Sequence, residues 1–391
     1  MKTSLASSAA VSLFILASAG ASAAETGPLP GVHSEELMNV VVVSRHGVRS
    51  PTQSAEKLES WSSKKWPNFG VDPGILTKRG YYLVERTWAL NRTRAPFTYG
   101  TCPKPDDVQI IADTDERTIA TAKALNEGLY PGCGYQVRTT DKKHSALFSP
   151  LKAKVCKIEY PKELAEKLTE RAAGFSKIYG SEIAEVEKIL GRELTGKMRG
   201  KASKHKVGYE GAPYSAASIT EIFALEWGQF PGQKAGWGVL DWPGIMQLMP
   251  LRVGVFTALN RDMEVAAYKG SALAKKIIDS LDHGPKYTYL VGHDTNLANL
   301  GALFDLNWKL PNRAKNENTP GGYLTFEKWL VNGEAEIRVY YSALTPEQMN
   351  AETVTEPTAD FEILPRGVKF DEWKKASSRF LFSKCIEDGA L

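Results

Sequence analysis

The sequence predicts an α/β sandwich with a mostly helical cap inserted into it, chiefly because three apolar runs each stop at a charged cluster. Residues 37–43 read LMNVVVV and run straight into Ser44-Arg45-His46-Gly47. Residues 108–112 read VQIIA and end at Asp113-Thr114-Asp115-Glu116-Arg117-Thr118, and residues 287–291 read YTYLV and end at Gly292-His293-Asp294-Thr295-Asn296. Short β-branched runs without polar alternation are the pattern of strands buried on both faces of a mostly parallel sheet. Helical patterns fill the intervals at residues 78–90, 117–128 and 262–281, and strands alternating with helices give an α/β sandwich. Between residues 149 and 242 the pattern changes to helical segments such as 162–177 and 181–190, with no stretch that reads as a strand. Residues 149–242 are therefore expected to form a helical cap, set between the two parts of an α/β lobe at 24–148 and 243–391.

At the N-terminus, Lys2 precedes an apolar stretch and then the small residues Ala19-Gly20-Ala21-Ser22-Ala23-Ala24. This is the form of a secretory signal peptide, expected to cover residues 1–23 and to direct the chain to the periplasm or outside the cell. The stretch is shorter than the roughly 20 apolar residues of a spanning helix and is broken by serines, so no membrane partner is expected. Four cysteines remain beyond it, Cys102, Cys133, Cys156 and Cys385, with no C-x-x-C spacing and no neighbouring histidine of a zinc site. In an oxidising compartment they read as two disulfides, and three pairings are open. Cys102 with Cys133 closes a short local loop and Cys156 with Cys385 ties mid-chain to C-terminus, which favours that pairing, each bridge stabilising by roughly 3 to 5 kcal/mol.

The charge balance is 49 basic against 45 acidic residues, a net +4, too mild for a nucleic-acid protein. The densest basic run, KMRGKASKHK at residues 197–206, reads as a solvated loop or helix face. Chemistry concentrates at the strand ends instead. In open α/β sheets ligands bind beyond the carboxyl ends of the strands, so three distant segments are expected to converge on one site. At the first of them His46 is flanked by Arg45 and Arg49, in a turn left open by Gly47 and stiffened by Pro51. Two guanidinium forks around an imidazole make a socket for a phosphoryl group, with a ring nitrogen able to attack phosphorus.

The motif R-H-G-x-R-x-P at residues 45–51, together with the distant His293-Asp294, resembles the signature of the histidine acid phosphatases. The runs GHDTNLANLG at 292–301, Leu306-Asn307-Trp308, Asn318-Thr319-Pro320-Gly321-Gly322, IADTDERT at 111–118 and Thr220-Glu221-Ile222-Phe223 resemble the bacterial periplasmic phytase branch of that family. The likeness spans essentially the whole mature chain. It implies a Rossmann-like α/β lobe of the phosphoglycerate mutase type with a helical lobe, and neither metal nor cofactor. Carried over, it makes His46 the nucleophile and Asp294 the proton donor to the leaving alcohol. Arg45, Arg49, Arg117 and His293 would hold the phosphate, Thr52 would add a hydroxyl contact, and Glu221 and Gln53 would meet the substrate. A protonated Asp294 and a cationic His293 would both favour acid, so an acidic optimum is expected.

Within that branch, glucose-1-phosphatases carry Asn at the position of Gly47 and Ser at that of Thr295, which leans the comparison toward phytase. Gln53 departs from the phytase pattern, which has lysine there, and a lost cation weakens the pull on a polyanion such as inositol hexakisphosphate. Lys64, Lys65 or the 197–206 segment are candidates to compensate. A metal-dependent HD phosphohydrolase would need further ligands at helical spacing, which the six histidines do not supply. A phosphate-ester binder without activity would have no need of His46 and Asp294 together, and a cytosolic phosphotransferase would not carry a signal peptide and disulfides. The expected partner is one small phosphomonoester, bound by a monomer.

Overall fold

The computed structural model describes residues 34–387, and the expected signal peptide lies outside them. Nine strands are present among these residues: β1 (Glu35–Arg45), β2 (Val108–Ala112), β3 (Val137–Arg138), β4 (Arg199–Ser203), β5 (Lys206–Glu210), β6 (Tyr287–Gly292), β7 (Tyr323–Val331), β8 (Glu334–Ala343) and β9 (Ala359–Leu364). Seven form one mixed sheet in the order β3-β2-β6-β1-β7-β8-β9. Its β3, β2, β6 and β1 pair in parallel, whereas β7, β8 and β9 continue it antiparallel. The antiparallel half carried a signal in the sequence: Asn332-Gly333 takes positive φ at both residues, the requirement of a tight hairpin turn, between β7 and β8.

The apolar runs became the central strands because both faces are covered. Val40 and Val42 pack with Val84, Trp88 and Leu125 of the helices Lys78–Asn91 and Glu116–Leu129 on one face. Val41 and Val43 pack with Leu273, Ile277 and Leu300 of the helices Met263–His283 and Asp294–Leu303 on the other. That split is the period of two of a strand, and each valine so buried contributes roughly 1.5–3 kcal/mol. Local signals fix the helix starts: the Thr77 hydroxyl accepts from Gly80 N–H, and the Asp262 carboxylate accepts from Glu264 and Val265 N–H.

The middle of the chain has its own core. Helices Pro161–Ala172, Gly180–Leu190 and Ala212–Gln229 contribute Leu168, Val186, Ile219, Ile222 and Phe223 to it. Helix Trp242–Asn260 joins the same core through Ile245, Leu248 and Leu251, so the packed unit runs past residue 242. Residues 197–206 are neither a loop nor a helix face, because β4 and β5 form an antiparallel hairpin with its turn at Lys204-His205. Its strands are five residues each and largely polar, which erased the apolar alternation by which strands are read.

Both disulfides pair as favoured, Cys102 with Cys133 and Cys156 with Cys385. The second spans 229 residues and holds Cys385 fully buried against the cap core. Replacing both of its cysteines by serine is expected to cost about 2–5 kcal/mol of stability, measured by denaturant unfolding, while folded enzyme stays active. An unchanged unfolding midpoint would contradict this.

Candidate active site

The register aligns the three charged clusters. Arg45 lies opposite Gly292 and Ala112 opposite Val291, so β1, β6 and β2 end together and deliver His46, His293-Asp294 and Asp113 to one edge. The His46 backbone is clamped on both sides: its N–H donates to Gly292 O and its carbonyl accepts from Gly321 N–H, each at 2.9 Å. The imidazole is 2% exposed, with Nδ1 2.9 Å from the Gly47 carbonyl. A carbonyl only accepts, so Nδ1 carries the proton and Nε2 keeps a lone pair. Burial pushes the His46 pKa well below the ordinary value, and the cations of Arg45 and Arg49 push it the same way. Both effects favour the neutral ring, whose Nε2 lone pair is the atom available for attack. Gly47 is needed for this approach: a Cβ there would lie 2.9 Å from Val84 Cγ2 and 3.0 Å from the Gly80 carbonyl.

Three arginines surround the ring. Arg45 is wholly buried and donates to Asn318 O and to Glu221 Oε1. Arg49 donates to Ser50 O at 2.8 Å, and burial lowers its pKa to about 10. Arg117 donates to Asp115 Oδ2 at 2.5 Å and to Gly74 O at 3.3 Å. Arg117 thus pairs at the start of its helix and lines the site at the same time. The Nε–H of each of these arginines is buried and meets no protein acceptor among the described residues. Arg49 and Arg117 line the same cavity as His46, where buried unpartnered donors suit an anion with several oxygens, whereas Arg45 lines a separate small cavity behind it with Glu221 and Arg252.

His293 is engaged at both ring nitrogens, Nε2 at 2.9 Å from Asp113 Oδ2 and Nδ1 at 3.4 Å from Arg117 Nη2. Asp113, Asp115 and His293 bring ligand atoms within 4.8 Å of one another. The positive charge in that group is already supplied by the Arg117 guanidinium.

Asp294 starts the helix Asp294–Leu303, with Oδ2 3.2 Å from Arg252 Nη2 and 3.8 Å from Arg45 Nη2. Burial alone would raise its pKa, but the Arg45, Arg252 and Arg49 charges outweigh burial and hold it well below the ordinary carboxylate range. The neighbouring cations thus favour the ionised carboxyl before substrate arrives. Glu221 offers both oxygens to guanidiniums, Oε1 to Arg45 and Oε2 to Arg252 at 2.8 Å, and so braces the cap helix against the sheet edge.

His46, Arg49, Arg117, His293, Asp294 and Thr295 line a cavity of about 410 Å³ that also contains Lys152, His205, Lys206 and Lys269. A second arm of about 290 Å³ continues from it beneath the cap, and Thr52, Gln53 and Glu221 line that arm, not the cavity around His46. Lys269 donates to Asn260 Oδ1 at 2.7 Å, and burial lowers its pKa to about 8.

Lys152, Lys269 and Arg252 were missed in the sequence. Arg252 had a readable signal, as the single charge in the nineteen-residue apolar helix Trp242–Asn260. Lys269 had none, being one of several lysines in an Ala- and Lys-rich helix.

The family model of the histidine phosphatase superfamily (branch 2) matches residues 36–205. Phytase AppA of Escherichia coli is 33% identical over 361 residues, covering 81% of this chain and 83% of that protein. A glucose-1-phosphatase of Salmonella typhimurium is 27% identical over 404 residues, covering 91% of each. Among solved structures, the phytase of Citrobacter braakii superposes with a TM-score of 0.81 at 27% identity, over 91% of this chain and all (100%) of that one. The Hafnia alvei phytase in complex with myo-inositol hexakis sulphate gives 0.81 at 25% identity, over 90% and 99%.

Proposed function

The chain belongs to the histidine phosphatase superfamily, branch 2, and is a phosphomonoester hydrolase; on that premise we propose that it works through a phosphohistidine on His46 and favours inositol hexakisphosphate. In the first step Nε2 of His46 bonds to phosphorus as the ester P–O bond breaks, and Asp294 gives its proton to the departing alkoxide. In the second, Asp294 takes a proton from water as that water attacks phosphorus, and His46 is released with inorganic phosphate. Arg45, Arg49 and Arg117 stabilise the charge on the transferred oxygens, and Asp113 orients His293 beside them. Glu221 acts as a positioning residue that holds Arg45 and Arg252.

The proton on Asp294 has to arrive with the reaction. A phosphate dianion offsets the arginine field that ionises the carboxyl, so substrate binding raises its pKa. With both the His46 and Asp294 values depressed, the acid form of Asp294 grows as pH falls while His46 stays unprotonated. The rate is therefore expected to peak in acid and to decline toward neutral pH, and a neutral or alkaline maximum would contradict the scheme.

The observation that carries the substrate is charge. Arg49, Arg117, Lys152, Lys206 and Lys269 line the cavity against the single carboxylate of Asp294, more cations than one phosphate requires. Two disulfides support an oxidising compartment, periplasmic or extracellular, and no helix among the described residues is long and apolar enough to cross a membrane. We take the enzyme to be a monomer, with a cap that begins near residue 149 and includes the helix Trp242–Asn260.

The test is phosphate release at acidic pH from inositol hexakisphosphate, glucose 1-phosphate and an aryl phosphate, with EDTA present. A higher kcat/KM for the inositol ester is expected. Equal rates on all three would remove the substrate assignment, and preference for glucose 1-phosphate would replace it with the specificity named for the Salmonella relative.

A further inference from the structure

We propose that the tip of the β4–β5 hairpin, His205 and Lys206, forms with Lys152 a second anion subsite, which binds a phosphate of the substrate other than the one under attack. This rests on the polyphosphate reading above and assigns it to particular residues. All three side chains line the cavity that holds His46.

Two contacts fix the tip in place. His205 Nδ1 donates to the Cys156 carbonyl at 3.2 Å, and Ile158 N–H donates to the Lys204 carbonyl at 2.9 Å. The Cys156 segment is itself tied to Cys385 by a disulfide, so the tip rests on a covalently anchored strip of chain. With Nδ1–H committed to a carbonyl, Nε2 of His205 is the ring atom left to meet a ligand, and it donates to an anion in the imidazolium form, in which both ring nitrogens carry protons.

Charge pairing within the hairpin separates its two ends. Arg199 and Lys201, on the strand, both pair with Glu210, at 3.1 and 2.8 Å. Lys206 and Lys152 form no ion pair among the described residues, although both face a cavity that already holds Arg49, Arg117 and Lys269. Like charges held around one cavity repel one another, and a polyanion relieves that repulsion. The subsite also accounts for Gln53, since the missing cation of the phytase pattern is replaced from another part of the rim. A monophosphate has one anionic group and spends it in the arginine socket, so it gains little from the hairpin. An inositol polyphosphate reaches both.

The experiment measures inhibition of aryl phosphate hydrolysis by myo-inositol hexakis sulfate, a polyanion without a phosphoryl group to transfer. It compares wild type with Lys152→Ser, Lys206→Ser and the pair combined, and with His205→Ser separately because that change also removes the bond to Cys156. The inhibition constant of the combined variant is expected to rise at least tenfold more than its KM for aryl phosphate. Equal changes in the two constants would overturn the subsite. If wild type prefers inositol hexakisphosphate and the variants keep its inhibition constant, the subsite alone fails. If wild type shows neither preference nor inhibition, the polyphosphate reading fails with it.

Discussion

Replacing His46 by alanine is expected to lower kcat for every phosphomonoester by about three orders of magnitude or more, with KM changed far less. In the proposed scheme the imidazole supplies the bond to phosphorus, whereas the affinity for phosphate comes from Arg45, Arg49 and Arg117, which the substitution leaves in place. The ring is held for this one act: its backbone is bonded to Gly292 and Gly321, and Nδ1 is fixed by the Gly47 carbonyl. Steady-state kinetics on an aryl and an alkyl phosphate check the claim. A variant that keeps a tenth of the activity would mean that some other group, or water directly, attacks phosphorus.

The second large effect concerns Asp294 and depends on the leaving group. Asp294→Asn is expected to slow alkyl phosphates by about 10²–10⁴-fold, because an alkoxide cannot leave unprotonated. An aryl phosphate with an acidic phenol needs no such proton, so its first step survives and the loss falls on the second step, where water needs a base. The phosphoenzyme should then accumulate, seen as a burst of phenol followed by slow turnover. The substitution also removes the group whose protonation follows acidity, so the fall in rate from acid to neutral pH should flatten. Equal losses on alkyl and aryl esters with no burst would show that Asp294 is not the proton donor. Arg252 enters the same argument, because its guanidinium lies 3.2 Å from Asp294 Oδ2 and helps keep the carboxyl ionised before substrate arrives.

The strands that present the site were legible because burial on both faces leaves an unbroken β-branched run, and the arginine-histidine cluster because it follows such a run directly. The site residues that the sequence hid come from the cap and the long helices. Lys152 sits in an irregular segment, and Lys269 lies on a helix whose pattern of Ala and Lys is that of any half-buried helix. The β4–β5 hairpin escaped because polar strands show no apolar alternation, and its basic residues passed for solvated charge. The resting charge of Asp294 was also beyond sequence reasoning. It is set by Arg252, 42 residues away along the chain, and by Arg45 from a different strand end. Side chains joined only by the fold set an electrostatic balance that motif spacing does not contain.

The phosphohistidine itself is open to direct measurement. Wild type and Asp294→Asn are mixed briefly with an aryl phosphate, quenched under alkaline conditions that preserve a phosphorus–nitrogen bond, digested and read by mass spectrometry. The account predicts one added phosphoryl group on the peptide containing His46, at higher occupancy in Asp294→Asn than in wild type and absent from His46→Ala. Phosphate on another residue, or no labelled peptide while phenol is released in a burst, would contradict it.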